Sequence, residues 1–333
     1  MLAPFSQYRY ITPVLILLSM GIVAIHMLLG SASPRALWLC WGVAGVLTAG
    51  IRHIVARFRL DGGASVKAFA IGWPLLTQVL CFACCHLPTG ASLTRSLVEQ
   101  LALLAILSLQ MSLWQRRAAV IKHLLLGLII GLTSTIHPPF ILFALLLPVT
   151  GYYMRCISPR NLSGAFTGAL LGIWFTYLVI CLLPFLAVQS GGMEAADRMA
   201  ARYLDLIPSG GQWLQRTLLW EGSAVTLPLL PALFLGYLAL MLLIYTFRAL
   251  AVDVGQSVRA EASNILLSVV SLAVAALLII DASGFTAYIG MLATLLALQL
   301  TIHQANATSP IAEWWIMAIL LIGTVLCLLP LFV

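Results

Sequence analysis

Charge is scarce in this chain. Only 8% of its 333 residues are charged, ten acidic against 17 basic, while 62% are hydrophobic. So few charges cannot cover a soluble domain of this length, and the apolar surplus is too large for one core, so lipid is the expected solvent. Chemical motifs are lacking too. There is no P-loop, no dinucleotide fingerprint, no H-E-x-x-H and no G-x-S-x-G, which removes the common nucleotide, redox-cofactor, zinc-protease and serine-hydrolase readings. His26, His53, His86, His123, His137 and His303 show no metal-ligand spacing, so neither a metal nor a cofactor is expected. The formal charge of +7 would suit nucleic acid, but the basic residues sit between apolar runs, where they set membrane orientation instead.

A disulfide framework is also missing. The seven cysteines, at 40, 81, 84, 85, 156, 181 and 327, are odd in number and mostly lie inside apolar runs. There a thiol behaves as a small apolar residue, and packing is the expected role. Cys81, Cys84, Cys85 and His86 come close to a haem-attachment motif, but C-x-x-C-H would need cysteines at 82 and 85.

What the chain has in abundance is apolar runs. Eleven are read as spans, near 11–30, 36–51, 68–86, 97–114, 120–136, 139–154, 163–188, 224–247, 264–280, 284–302 and 311–333. The expected fold is an all-α polytopic transmembrane bundle forming one domain over residues 1–333. The first run has spanning length and no convincing cleavage site, so it reads as a helix and not as a signal peptide. Several runs fall short of the roughly 20 residues that a perpendicular helix needs.

Loop charges orient the bundle. With the N-terminus inside, the inner loops hold Arg9, Arg52, Arg57, Arg59, Lys67, Arg116, Arg117, Lys122, Arg155, Arg160, Arg248 and Arg259. The outer side holds Arg35, Arg95, Arg198, Arg202 and Arg216. This split of 12 to 5 follows the positive-inside tendency and places the C-terminus outside a bacterial inner membrane. Trp38, Trp114, Trp213, Trp220, Trp314 and Trp315 fall near span ends, as amphipathic rings at headgroup level do. The sequons at Asn161 and Asn306 lie in inner loops and are not expected to be modified.

Two runs carry packing signals. Gly164, Gly168 and Gly172 repeat every four residues, as do Gly127 and Gly131. This spacing makes a groove in which another backbone comes close, and contact between helices of the same chain is expected. Between the fifth and sixth runs stands His137-Pro138-Pro139, which must stop a helix and leaves either a hairpin or one broken helix. Basic residues at both far ends favour the hairpin. The outer loop 189–223 contains Met193, Ala196, Ala200, Tyr203, Leu204 and Ile207 at helical spacing, with Glu194 and Arg198 as a favourable pair. It reads as a short amphipathic helix on the outer membrane surface.

Polar residues at membrane depth supply the site expectation. Glu99, His137, Glu221 and Asp281 all fall near the outer face, with Gln110 on nearly the same helix face as Glu99. With Arg202 and Arg216 they form a candidate outer-face cluster for an anionic ligand. The alternative places each of them separately in headgroup water.

The segment Gly127-Leu-Ile-Ile-Gly-Leu-Thr-Ser-Thr-Ile-His-Pro-Pro-Phe-Ile-Leu-Phe143 resembles a pattern found in two groups. One is the GT-C glycosyltransferases, which use polyprenyl-phosphate sugars. The other is an uncharacterised polytopic membrane family of Bacteroidetes, in which a basic turn and a glycine-rich span follow, as in Ser158-Pro-Arg-Asn-Leu-Ser-Gly-Ala-Phe-Thr-Gly-Ala-Leu-Leu-Gly172. The resemblance covers roughly residues 100–333. It implies a GT-C-like scaffold that binds or handles a lipid-linked envelope precursor. GT-C enzymes carry a carboxylate in the first outer loop, whereas Ser31-Ala-Ser-Pro-Arg35 has none. Catalysis would therefore fall to Glu99, Glu221 or Asp281, or be absent. The rival expectations are a non-enzymatic subunit or scaffold of an envelope assembly, with envelope protein partners, and a small-molecule transporter.

Overall fold

The computed structural model describes residues 5–29, 33–58, 60, 67–86, 93–116, 118–191, 229–251, 258–280, 285–306 and 310–332. Among these, all regular structure is helical. The helices are α1 (Phe5–Leu28), α2 (Pro34–Phe58), α3 (Lys67–His86), α4 (Leu93–Ser112), α5 (Val120–Ile136), α6 (Leu142–Tyr153), α7 (Pro159–Gly191), α8 (Leu229–Ala251), α9 (Val258–Ile280), α10 (Phe285–Asn306) and α11 (Pro310–Leu328). Short 3-10 turns occupy Pro138–Ile141 and Leu329–Leu331. Each apolar run of the sequence thus has a helix. By length and composition, four stretches among the described residues are long and apolar enough to cross a membrane: Pro34–Phe58, Pro159–Val179, Glu261–Leu278 and Trp314–Leu331. The other apolar helices are shorter, so the structure falls short of an eleven-span count on this criterion. The surface helix expected around 193–207 lies outside the described residues.

The chain divides into two compact units. Unit 1 comprises residues 1–104, 224–279 and 284–333, and unit 2 comprises 105–223 and 280–283. In unit 1, α3 and α10 are central. α3 packs against α1, α2, α10 and α11, and α10 packs against α2, α3, α8 and α11. Every residue of α10 from Tyr288 to Ile302 is buried, as expected of a helix with no polar stripe. Aromatic contacts join neighbouring helices. Trp41 and Trp73 lie 4.7 Å apart between ring centroids and Phe82 and Phe234 4.4 Å apart. Trp38, Trp314 and Trp315 are exposed near helix ends, Trp114 is half-buried, and Trp213 and Trp220 lie outside the described residues.

Unit 2 is organised by the glycines. A Cβ placed on Gly127 would overlap the Ala165 carbonyl, and one on Gly131 the Ala169 carbonyl. In the reverse direction, a Cβ on Gly168 would overlap the Leu124 carbonyl, and one on Gly172 would stand 2.6 Å from that of Leu128. Only glycine permits this approach of two backbones. Residue numbers rise together along the contact: Gly164 faces Val120, Gly168 faces Leu124 and Gly172 faces Leu128. α5 and α7 are therefore parallel. Helix α5 stops at Ile136, and His137 caps it, its backbone N–H donating to Thr133 O at 2.9 Å. The start of α5 (His123, Leu126) and the end of α6 (Leu147, Thr150) line one common cavity. The chain thus turns back at the prolines, which decides for the hairpin over the broken helix.

Two helix ends escaped the sequence reading. Gln115, after α4, and Arg155, after α6, both adopt the left-handed conformation, at φ 57° and 52°. Gln115 N donates to Met154 O at 3.0 Å, so one end secures the other. Neither site has the glycine that usually marks such an end.

Candidate functional site

Buried polar groups in both units are mostly neutral, and they run from helix to helix. In unit 1, Gln78 of α3 donates through Nε2 to the Leu320 carbonyl at 2.9 Å and to Thr324 Oγ1 at 2.8 Å, both on α11. Gln100 of α4 donates to Ser96 Oγ at 2.9 Å, and its Oε1 accepts from Thr294 of α10 at 3.1 Å. Gly290 makes room for that approach, because a Cβ there would overlap the Gln100 amide. Gln299 of α10 donates to Thr246 of α8 at 3.2 Å and to Ser271 of α9 at 3.1 Å. Tyr237 donates its hydroxyl to the Ile319 carbonyl at 2.6 Å. The helices so joined gain a directional contact that methyl groups cannot supply.

Unit 2 has its own version. Gln110 of α4 donates to Thr150 of α6 at 3.1 Å, while its buried Oε1 meets no donor among the described residues. Beside it is a cavity of about 10 Å³ whose lining includes Gln110, His123, Thr150, Met154 and Cys156. His123 Nδ1 lies 3.0 Å from the Ala119 carbonyl, a partner that accepts only. The proton is therefore on Nδ1, and Nε2 of the neutral ring is an acceptor. The volume is that of a single water site, far below the pocket size an organic ligand needs. Below it, Cys156 sits in the turn between α6 and α7. Burial pushes its thiol up to about 11, against a smaller downward pull from a backbone hydrogen bond.

The expected outer-face cluster is described only in part. Glu99 is fully buried in α4 and belongs to unit 1; His137 is buried at the end of α5 and belongs to unit 2. Arg202, Arg216, Glu221 and Asp281 lie outside the described residues. Neither unit contains more than one described member of the six. Glu99 does have polar company in its own sequence neighbourhood, since Ser96 and Gln100 form the polar contact with Thr294. Among the described residues, no group of three or more His, Cys, Asp or Glu is arranged to hold a metal ion.

No protein-family model, curated protein or solved structure matches this chain. The site must therefore be read from its own geometry. Gln78, Gln100 and Gln299 were not singled out in the sequence, although each was a polar residue inside an apolar run. None of the three is ionisable, and their Thr and Ser partners are unremarkable in apolar helices. Asn161 proves structural for a reason the sequon reading did not contain. Its side chain is buried and donates to the Cys156 carbonyl at 2.8 Å, tying the turn to the first residues of α7.

Proposed function

We propose that the chain is an integral protein of a bacterial inner membrane, with eleven spans, its N-terminus inside and its C-terminus outside. The observation that carries this is the outward-facing surface. Large apolar side chains are exposed on helices of both units, among them Leu17 at 64%, Ile121 at 77%, Leu145 at 62%, Leu170 at 69% and Leu321 at 64%. Side chains of this kind at this density suit hydrocarbon and would aggregate in water. The parallel α5 and α7 with α6 returning between them fit alternating passage.

Within the membrane, the role best supported is that of a non-enzymatic subunit or scaffold of an envelope assembly. Neutral glutamine, threonine and serine pairs tie helix to helix, and the cavity beside Gln110 is water-sized; both features suit a rigid membrane body. A second reading, handling of a polyprenyl-phosphate-linked precursor on a GT-C-like scaffold, is favoured by buried Glu99 next to the Ser96–Gln100–Thr294 contact and by the resemblance of residues 127–172. The two separate on one measurement. Protein taken from cells into lipid nanodiscs is analysed by native mass spectrometry for bound polyprenyl phosphate. A scaffold carries none. A precursor-handling protein carries it, and Glu99→Gln lowers the occupancy several-fold.

A further inference from the structure

Five cysteines and one histidine converge in unit 1 where α1, α2, α3 and α11 meet. Cys40, the seventh residue of α2, rests on the turn of α3 that carries two other thiols. Its Sγ is 3.7 Å from the Leu80 carbonyl, with Cys81 the next residue of α3 and Cys84 one helical turn beyond Leu80 on the same face. Cys85 follows Cys84 in the chain. On the other side of α3, Cys327 of α11 donates to the Gln78 carbonyl at 3.4 Å and stands 3.8 Å from His26 Nε2. Cysteines scattered as small apolar residues would not be expected to meet in this way, since α2 contributes one thiol and it faces two of α3.

The thiols differ in access. Cys40, Cys81 and Cys327 are buried, whereas Cys84 and its neighbour Cys85 are partly exposed; of these two, Cys84 is the one a helical turn beyond Leu80, the residue Cys40 rests on. Cys84 is also third from the end of α3. The partners of Cys84 differ in geometry too. Cys81 lies one turn back on the same helix, where Cβ atoms are about 5–6 Å apart, too far for the Cβ separation of about 3.8 Å that a disulfide needs. Cys40 approaches from another helix and has no such restriction.

We propose that Cys84 and Cys40 form a thiol–disulfide exchange centre whose reactant is a small-molecule or peptide disulfide. Cys84 is the entry thiol and Cys40 the resolving thiol. The Cys84 thiolate attacks one sulfur of the reactant RS–SR′. A Cys84–SR bond forms, the S–S bond breaks, and R′S⁻ leaves and takes up the proton that Cys84 lost. Cys40 then attacks Cys84 Sγ. The Cys40–Cys84 bond forms, and RS⁻ leaves with the proton of Cys40. Two protein thiols are oxidised to one disulfide, the reactant is reduced to two thiols, and no further oxidant is required.

The test uses the full-length protein, reduced, purified in detergent and freed of reductant. It is incubated with oxidised glutathione or with bis(2-hydroxyethyl) disulfide, quenched in acid, denatured and alkylated with a polyethylene-glycol maleimide. The expected result is a loss of two alkylatable thiols from the seven in the sequence, with a peptide map that joins Cys40 to Cys84. In Cys40→Ser and Cys40→Ala one thiol is lost, and the reactant remains attached to Cys84. In Cys84→Ser no thiol is lost. Cys156→Ser, in unit 2, still loses two. The proposal is overturned if the parent protein loses no thiol to either reagent, or if the mapped bond joins any other pair. Should the Cys40 variants fail to fold, the parent protein's map decides alone. Because the readout is made in detergent, it does not depend on the role or orientation proposed above.

Discussion

At the residue scale, a helical glycine is replaceable or not according to what stands opposite it. Gly168 faces the backbone of α5, and a Cβ would overlap the Leu124 carbonyl; Gly236, on α8, has no described atom beyond its own turn of helix within 4 Å of where a Cβ would lie. Gly168→Ala should cost on the order of 1–3 kcal/mol, because a backbone crossing cannot yield as a side chain can. Gly236→Ala should be neutral or stabilise by up to about 1 kcal/mol through helix propensity. Thermal melting of the two variants in one detergent checks this, and equal melting points would remove the crossing as a source of stability. Cys156 offers a second test. With its thiol pushed up to about 11, the reactive thiolate is a small fraction at pH 8 and grows tenfold with each pH unit. Maleimide labelling at Cys156, followed by peptide mapping, should be slow at pH 8 and accelerate up to about pH 11. Labelling at pH 8 at the rate of a free peptide thiol would contradict the burial.

At the scale of elements, the hairpin and the glutamine contacts make separate predictions. Since the start of α5 and the end of α6 share a cavity, Ala118→Cys and Ile157→Cys should react with a membrane-impermeant label from the same side. Ile141→Cys, at the turn, should react from the other. Labelling of Ala118→Cys and Ile157→Cys from opposite sides would restore the broken-helix alternative. Gln299 joins α10 to both α8 and α9. Gln299→Leu should cost about 1 kcal/mol, the usual scale for polar contacts between membrane helices. Replacing an exposed polar residue of another helix by leucine, Thr167→Leu, should cost less. A melting series in one lipid composition separates the two. The prolines acted as the sequence suggested, stopping α5 at Ile136. The left-handed ends at Gln115 and Arg155 were illegible because no glycine marks them; a hydrogen bond between the two turns selects that conformation instead.

For the whole molecule, orientation is the testable quantity. If the 12 to 5 distribution of basic residues sets topology, single cysteines introduced in 193–216 should label in intact cells with the outer membrane permeabilised. Single cysteines in 52–67 should label only after the inner membrane is opened. The reverse pattern would invert the protein, and equal labelling would remove the eleven-span arrangement.

Composition and apolar periodicity were enough to place a helix at each of the eleven runs, because an apolar run with no water around it can satisfy its backbone only within itself. The four-residue spacing of Gly164, Gly168 and Gly172 was enough to identify a close-packing face, because that spacing is a property of one helix. Which face it met was not in the sequence. The parallel pairing with α5 depends on where the intervening chain turns and on two backbones fitting one another. The glutamine contacts, the meeting of Cys40 with Cys81 and Cys84, and the position of Cys327 beside His26 were likewise decided by tertiary structure alone. Each joins residues from different helices, and a one-dimensional pattern records the period of a helix but not its neighbour.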